Sequence, residues 1–168
     1  MNVSELLIEG YTRIGELVHI AVEDLSGDEL SYRPDVNANS IAWLVWHLTR
    51  IQDDHVSEIA GLEQVWVSGV WATDLGMLPD PRLLGQGDGP DEVAAVAPSD
   101  PSALLGYYDE VAGHSMHYLE RVDEVELSRI IDQSYTPPVT VGVRLVSVLS
   151  DNLQHAGQAR YLRGLLHT

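Results

Sequence analysis

The sequence predicts an all-α protein, a four-helix bundle with long crossover loops and a short extra helix. Four long segments carry apolar residues at helical spacing, and no series of alternating strands accompanies them. With 168 residues and 45% hydrophobic side chains, the chain is long enough to bury a substantial core. We therefore expect residues 1–168 to form a single domain of bundled helices.

The first two helices are predicted from about Val3 to Asp24 and from Asn39 or Ser40 to about Gly61. Asn2 and Glu5 have the spacing of a capping box at the start of the first helix. The apolar residues of this helix lie close to one face: Leu6, Ile14, Leu17 and Ala21. Those of the second helix form a stripe: Ile41, Leu44, Val45, Leu48, Ile51 and Ile59.

The third and fourth helices follow two further start signals. Asp100 is a predicted N-cap with Pro101 at the first helical position, and the helix continues to about Val122. The fourth helix begins near Thr140 and is expected to reach the C-terminus. Its predicted inner face contains Val141, Leu145, Val148, Leu149, Ala156, Ala159 and Leu166.

The connections between these helices are unequal. Residues 26–39 and 122–140 are predicted as extended loops, and residues 61–99 form a longer connection rich in glycine and proline. One short helix is expected there, from about Glu63 to Leu75. Its Trp66 and Trp71 are candidates for covering a site or for a subunit contact. A loop of this length in a compact domain is often functional.

Charge and composition exclude several functions. The formal net charge of -17 disfavours DNA, RNA and anionic lipid as partners. The absence of cysteine excludes disulfides, cysteine-ligated metal and a cysteine nucleophile, so thiol chemistry requires a thiol from a substrate or cofactor. The N-terminal residues do not resemble a secretory signal, and no apolar run could span a bilayer. A cytoplasmic protein is the simplest expectation.

A candidate metal site lies on the fourth helix. Asp151 and His155 are four residues apart and therefore lie on the same side of the helix. Two other acid–histidine pairs have this spacing, His19 with Glu23 and Glu110 with His114, but they lie away from the apolar stripes. The ordinary alternative for Asp151 and His155 is a hydrogen bond at the edge of the core.

A third ligand has to come from another helix, and the second helix offers His47 and His55. Helical periodicity places His55 nearer the centre of the apolar stripe, whereas His47 lies at its flank. Periodicity alone therefore favours His55. Either residue is also compatible with an ordinary hydrogen-bonded core histidine.

The chain resembles the DinB/YfiT-like superfamily of metalloenzymes over nearly its whole length. The resemblance rests on His47 in Trp46-His47-Leu48-Thr49-Arg50 and on His155 in His155-Ala156-Gly157-Gln158. It implies that His47, Asp151 and His155 hold a metal, although Asp151 stands where many members have histidine. Mycothiol-dependent maleylpyruvate isomerases are similar in combining two histidines with one carboxylate. The surrounding motifs resemble an actinobacterial branch that includes mycothiol S-transferases, and the superfamily implies a homodimer.

The resemblance implies a metal-dependent transferase that activates a low-molecular-weight, mycothiol-like thiol for attack on an electrophile. Zinc is the expected divalent metal, with nickel, iron and manganese as alternatives. Gln158 is a candidate for orienting the incoming group, and Arg50 or Arg160 for pairing with a substrate carboxylate. Two alternatives stay open: a metal-dependent hydrolase or isomerase on the same bundle, and a non-catalytic ligand-binding helical protein.

Overall fold

Four long helices carry the fold, and short elements occupy the connections between them. The computed structural model describes residues 1–166. In chain order the elements are α1 (Val3–Val22), α2 (Gly27–Leu30), α3 (Ile41–Ala60), α4 (Val65–Ser68), α5 (Trp71–Asp74), α6 (Pro90–Ala95), α7 (Ser102–Leu119), α8 (Glu124–Leu127), β1 (Ile130–Asp132), β2 (Val139–Thr140) and α9 (Val141–Leu165). The two strands pair antiparallel. The predicted all-α bundle is confirmed.

Side-chain caps start three of the long helices, and the capping box predicted for the first of them is present. The Asn2 side chain accepts from the Glu5 backbone N–H at 2.8 Å, and the Glu5 carboxylate accepts from the Asn2 N–H at 2.9 Å. Ser40 caps α3 and Thr140 caps α9 in the same manner, each accepting a backbone N–H three residues later. These bonds satisfy N–H groups that have no partner within the helix.

Three boundaries of the long helices differ from the sequence prediction. α7 begins at Ser102, because Pro101 still precedes the helix and the Asp100 carboxylate accepts the Ser102 N–H at 2.8 Å; it ends at Leu119, before the predicted Val122. α1 ends at Val22, because Glu23 already has a non-helical backbone with ψ 135°. The predicted extension of the last helix through residues 167 and 168 lies outside the described residues.

The long helices pack as a bundle in which α9 and α7 lie on opposite sides of the α1–α3 pair. α9 packs most extensively against α3 and then against α1, and α7 contacts the same two helices. Most predicted inner residues are buried, and Leu17, Leu149 and Leu166 are partly buried. Leu6 is a correction, since it is 60% exposed on α1. The packing of α3 against α9 places the two candidate ligand helices side by side.

The connections hold more structure than the sequence indicated. Residues 61–99 contain α4, α5 and α6 instead of one short helix, and α8 with the two-stranded sheet occupies the third connection. Four-residue helices show too little periodicity to be recognised, and burial of single side chains stabilises them. Trp66 is buried in the core, and the Trp71 indole N–H donates to Glu110 on α7 at 2.6 Å. Neither tryptophan has the covering role considered for it.

A buried ion pair ties the long 61–99 connection to the bundle. Arg50 and Asp53 are both essentially inaccessible to solvent, and their side chains are 3.2 Å apart. The Asp53 carboxylate also accepts the backbone N–H groups of Val65 and Trp66 at 2.9 and 2.8 Å and the Tyr107 hydroxyl at 2.8 Å. Burial of such a pair is tolerable only when hydrogen bonds satisfy both ions.

The Asp53→Asn substitution should strongly destabilise the protein. It leaves the Arg50 guanidinium buried without its counter-charge, a change that typically costs about 3–5 kcal/mol. Urea denaturation would measure the loss in the free energy of unfolding. The matched control is Glu9→Gln, which breaks an exposed ion pair with Arg13 and should cost less than about 1 kcal/mol. Equal losses in the two variants would contradict the structural role of Asp53.

Candidate metal centre

The structure brings His47, Asp151 and His155 together between α3 and α9. Each residue offers one ligand atom, and the three atoms lie within 4.8 Å of one another. The two imidazole rings meet edge to face, with centroids 4.9 Å apart. Two ligands of a tetrahedral zinc ion are about 3.4 Å apart when the metal–ligand distances are about 2.0–2.2 Å. Small side-chain rotations therefore suffice for all three to share one ion.

His47 is held on two sides in the interior. Its Nδ1 lies 2.5 Å from the Leu84 carbonyl oxygen, and its ring stacks on Trp43 with centroids 4.6 Å apart and planes at 10°. A carbonyl can only accept, so Nδ1 carries the proton and Nε2 keeps its lone pair. Burial lowers the pKa of His47. The ring is thereby kept neutral, which is the form that binds metal.

His155 has a matching arrangement on α9. Its Nδ1 lies 2.9 Å from the Gln158 side-chain oxygen, and its Nε2 lies 3.5 Å from an Asp151 carboxylate oxygen. The Asp151 carboxylate raises the pKa of His155, against the effect of partial burial. Gln158 thus holds the His155 ring, and its predicted contact with an incoming substrate stays a prediction. Such outer hydrogen bonds orient metal-ligating histidines in general.

Asp151 provides the test of whether a metal fits. Its Oδ2 is buried and makes no hydrogen bond within the described part of the chain. A buried carboxylate oxygen without a partner is costly, and a cation beside it would remove that cost. Two imidazoles and one carboxylate also form a ligand set typical of catalytic zinc and related ions. The residues present therefore fit a divalent metal, and the shorter aspartate side chain still reaches the site.

His55 lies outside this group, although periodicity alone favoured it. Its Nδ1 is 2.8 Å from an Arg144 nitrogen and 3.2 Å from the Asp54 carboxylate. The reason is the burial of α3, in which 16 of 20 residues are buried. When a helix is covered on nearly all sides, the centre of its apolar stripe does not identify the face that meets one particular neighbour.

The two arginines considered for substrate binding have different surroundings. Arg50 is fully buried and uses all five N–H donors, so its guanidinium has none left for a substrate. Its predicted role in substrate binding is therefore wrong. Arg160 is exposed on α9 and makes no ion pair with any residue between 1 and 166. It is five residues beyond His155 and stays a candidate.

The other acid–histidine pairs take unrelated partners. His19 bonds to Asp109 of α7 at 2.8 Å, and Glu110 accepts the Trp71 indole N–H. Neither belongs to a three-residue group of metal ligands within residues 1–166.

Sequence reasoning missed the loop that lies against His47. The Leu84 carbonyl and the backbone of Gly85 contact the ring, and Asp88 accepts the Trp43 indole N–H at 2.9 Å. The dense glycine pattern of residues 85–89 was the available signal. It indicated an irregular loop without indicating what the loop touches.

Residues 12–168 match the sequence profile of the mycothiol-S-transferase family. The chain belongs to the mycothiol-S-transferase family. This confirms the DinB-like resemblance and supports a thiol transferase as the general function. No curated protein matches the chain.

Among solved structures, the chain is similar to the "conserved protein of locus from Enterococcus faecalis". The two share 32% sequence identity with a TM-score of 0.89 over 97% of this chain and 96% of that one. The helical bundle is thus shared across almost the full length of both proteins. Within residues 1–166, none of the helices combines the length and apolarity needed to cross a membrane.

Metal-free protein should bind one zinc ion per chain, and substitution of a ligand should weaken binding. Loss of a residue that hydrogen-bonds to a metal ligand typically weakens metal binding roughly 10–100-fold. We expect His155→Ala, which removes a ligand itself, to raise the zinc Kd by more than this. Competition with a chromophoric chelator would measure this. His55→Ala is the matched control, because His55 bonds to Arg144 away from the site. Equal zinc affinities of the two variants would contradict the assignment.

His47 and His155 should titrate in a fixed order in metal-free protein. His155 should take up its proton at higher pH than His47, because the Asp151 carboxylate raises the pKa of His155 and burial lowers the pKa of His47. NMR titration of the ring signals would measure both. Asp151→Asn should lower the pKa of His155, whereas Asp109→Asn, beside His19, should leave it unchanged. Titration of both rings at one pH would contradict the described electrostatics.

Proposed function

We propose that the protein is a metal-dependent S-transferase that joins a mycothiol-like thiol to an electrophilic carbon. The observation that carries the proposal is the convergence of His47, Asp151 and His155, with an unpartnered carboxylate oxygen, in a chain of this family. Zinc is the ion that we propose, since this ligand set leaves coordination positions open. Nickel, iron and manganese are compatible with the same donors.

The chain's own residues would prepare the site for a thiol. His47 presents a neutral Nε2, His155 would present its Nε2 once the proton that Asp151 favours has left, and the Asp151 carboxylate would compensate one positive charge of the metal. A bound divalent metal would favour the thiolate form of a coordinated thiol near neutral pH. The thiol releases its proton to solvent, sulfur forms a bond to the electrophilic carbon, and the leaving group departs with its electron pair. The chain has no cysteine, so the nucleophilic sulfur has to come from the cosubstrate.

A surface groove next to Asp151 is a suitable place for the electrophile. It has a volume of about 640 Å³ and follows α9 from Asp151 to Gly142, with Val143 and Val146 on its wall. These valines are 52% and 59% exposed and so offer apolar surface beside Asp151. We propose that an apolar part of the electrophile lies along this groove while its reactive carbon faces the metal site.

A conjugation assay tests the proposed reaction. Zinc-loaded protein with mycothiol and 1-chloro-2,4-dinitrobenzene should release chloride and form the thioether, followed by absorbance. Chelator-treated protein and the His47→Ala variant should lose most of this rate, because each lacks the complete site. His55→Ala should retain it. A rate that is the same without thiol would indicate hydrolysis, and a rate independent of metal would contradict the proposed mechanism.

A further inference from the structure

We propose that the backbone segment from Leu83 to Gly85 is a positioning element for His47, and that Gly85 is its positioning residue. The segment would hold the ring so that Nε2 faces Asp151 and His155. This inference rests on the proposed metal site, although the state of the His47 ring can be tested without metal.

The segment is anchored from the interior by Arg50. The guanidinium donates to the Pro81 carbonyl at 3.0 Å and to the Leu83 carbonyl at 2.9 Å. Its other donors are bonded to Asp53, Tyr107 and Gln64, so the group cannot rotate freely. The residue that follows Leu83 is therefore placed against α3 by an anchor in the core.

The anchored segment makes the contact that determines the His47 ring. Leu84 follows Leu83, and its carbonyl oxygen lies 2.5 Å from His47 Nδ1. His47 and Arg50 are three residues apart on α3 and lie on neighbouring parts of its surface. Two successive loop carbonyls therefore lie against the same face of α3: Leu83 bonds to Arg50, and Leu84 bonds to His47. The imidazole bond fixes the proton on Nδ1.

Gly85 permits this approach because it lacks a side chain. A Cβ there would lie 2.7 Å from the Trp46 ring, 3.0 Å from His47 Nδ1 and 3.0 Å from the Trp43 ring. Contacts this short would force the loop or the imidazole to move. The backbone also has φ +86°, a conformation that glycine adopts without strain.

One face of the His47 ring is fixed with the help of the same loop. Trp43 stacks on His47, and Asp88 accepts the Trp43 indole N–H at 2.9 Å. The Asp88 backbone N–H donates to the Gly85 carbonyl at 3.2 Å, which closes the loop into a turn. His47 therefore has a fixed edge, supplied by Leu84 and Gly85, and a fixed face, supplied by Trp43, which Asp88 holds in place.

Gly85→Ala and its matched control Gly87→Ala test the proposal. Gly87 has nearly the same backbone angle, with φ +85°, but a Cβ there would meet nothing within 4 Å. Both alanine variants therefore carry a similar conformational penalty, and only Gly85→Ala brings a side chain against His47. We expect Gly85→Ala to raise the zinc Kd roughly 10–100-fold, as loss of an outer partner does, and Gly87→Ala to leave it unchanged.

Long-range ¹⁵N–¹H NMR of metal-free protein supplies a second measurement. The wild-type protein should show His47 protonated at Nδ1, and this state should be lost in Gly85→Ala and kept in Gly87→Ala. Protonation of His47 at Nε2 in the wild type would overturn the proposal even if the Gly85 variant fails to fold. Equal zinc affinities of the two alanine variants would also overturn it. If the wild type binds no zinc, the proposed function fails and the NMR result alone decides this inference.

Discussion

The structure depends on one fully buried arginine. A guanidinium in the interior loses its hydration, so each of its five N–H donors needs a protein acceptor. Arg50 obtains them from Asp53 on its own helix, from Tyr107 on α7, and from Gln64, Pro81 and Leu83 in the long connection. Because Asp53 in turn accepts two backbone N–H groups at the start of α4, both ends of the segment from residue 64 to 83 are tied to α3. The need of the buried Arg50 guanidinium and Asp53 carboxylate for hydrogen-bond partners thus determines the path of the long connection, which has no long helix of its own.

This constraint reaches the candidate metal site through the chain. The loop residues that follow Leu83, which Arg50 holds, lie next to His47. The Leu84 carbonyl bonds to the imidazole, and Gly85 lies close to it. α9 supplies the other half of the site, with Gln158 holding His155 as Leu84 holds His47. Both histidines therefore present the same nitrogen to the space between the helices. The unpartnered oxygen of Asp151 completes an arrangement that is electrostatically unfavourable without a cation and suited to one with it.

Some features of the site could be read from the sequence, and others could not. The pair Asp151 and His155 was recognisable because four-residue spacing keeps both side chains on one side of a helix. The choice of His47 over His55 came from the family motif, since α3 is buried on almost every side and its stripe has no single direction. Arg50 was misjudged for a related reason. In the sequence of a helix, an arginine whose N–H groups bond to a distant loop cannot be distinguished from an arginine on the surface.

The sequence by itself determined the four long helices, the capping box of the first, the exclusion of a cysteine nucleophile and the membership of the family. These features depend on local spacing and composition, which need only neighbouring residues to take effect. Only the tertiary structure decided that α3 faces α9, that Leu84 and Gly85 contact His47, and that Asp53 holds the start of α4. Those contacts join residues 12 to more than 100 positions apart, and their formation depends on how several buried polar groups find partners at once.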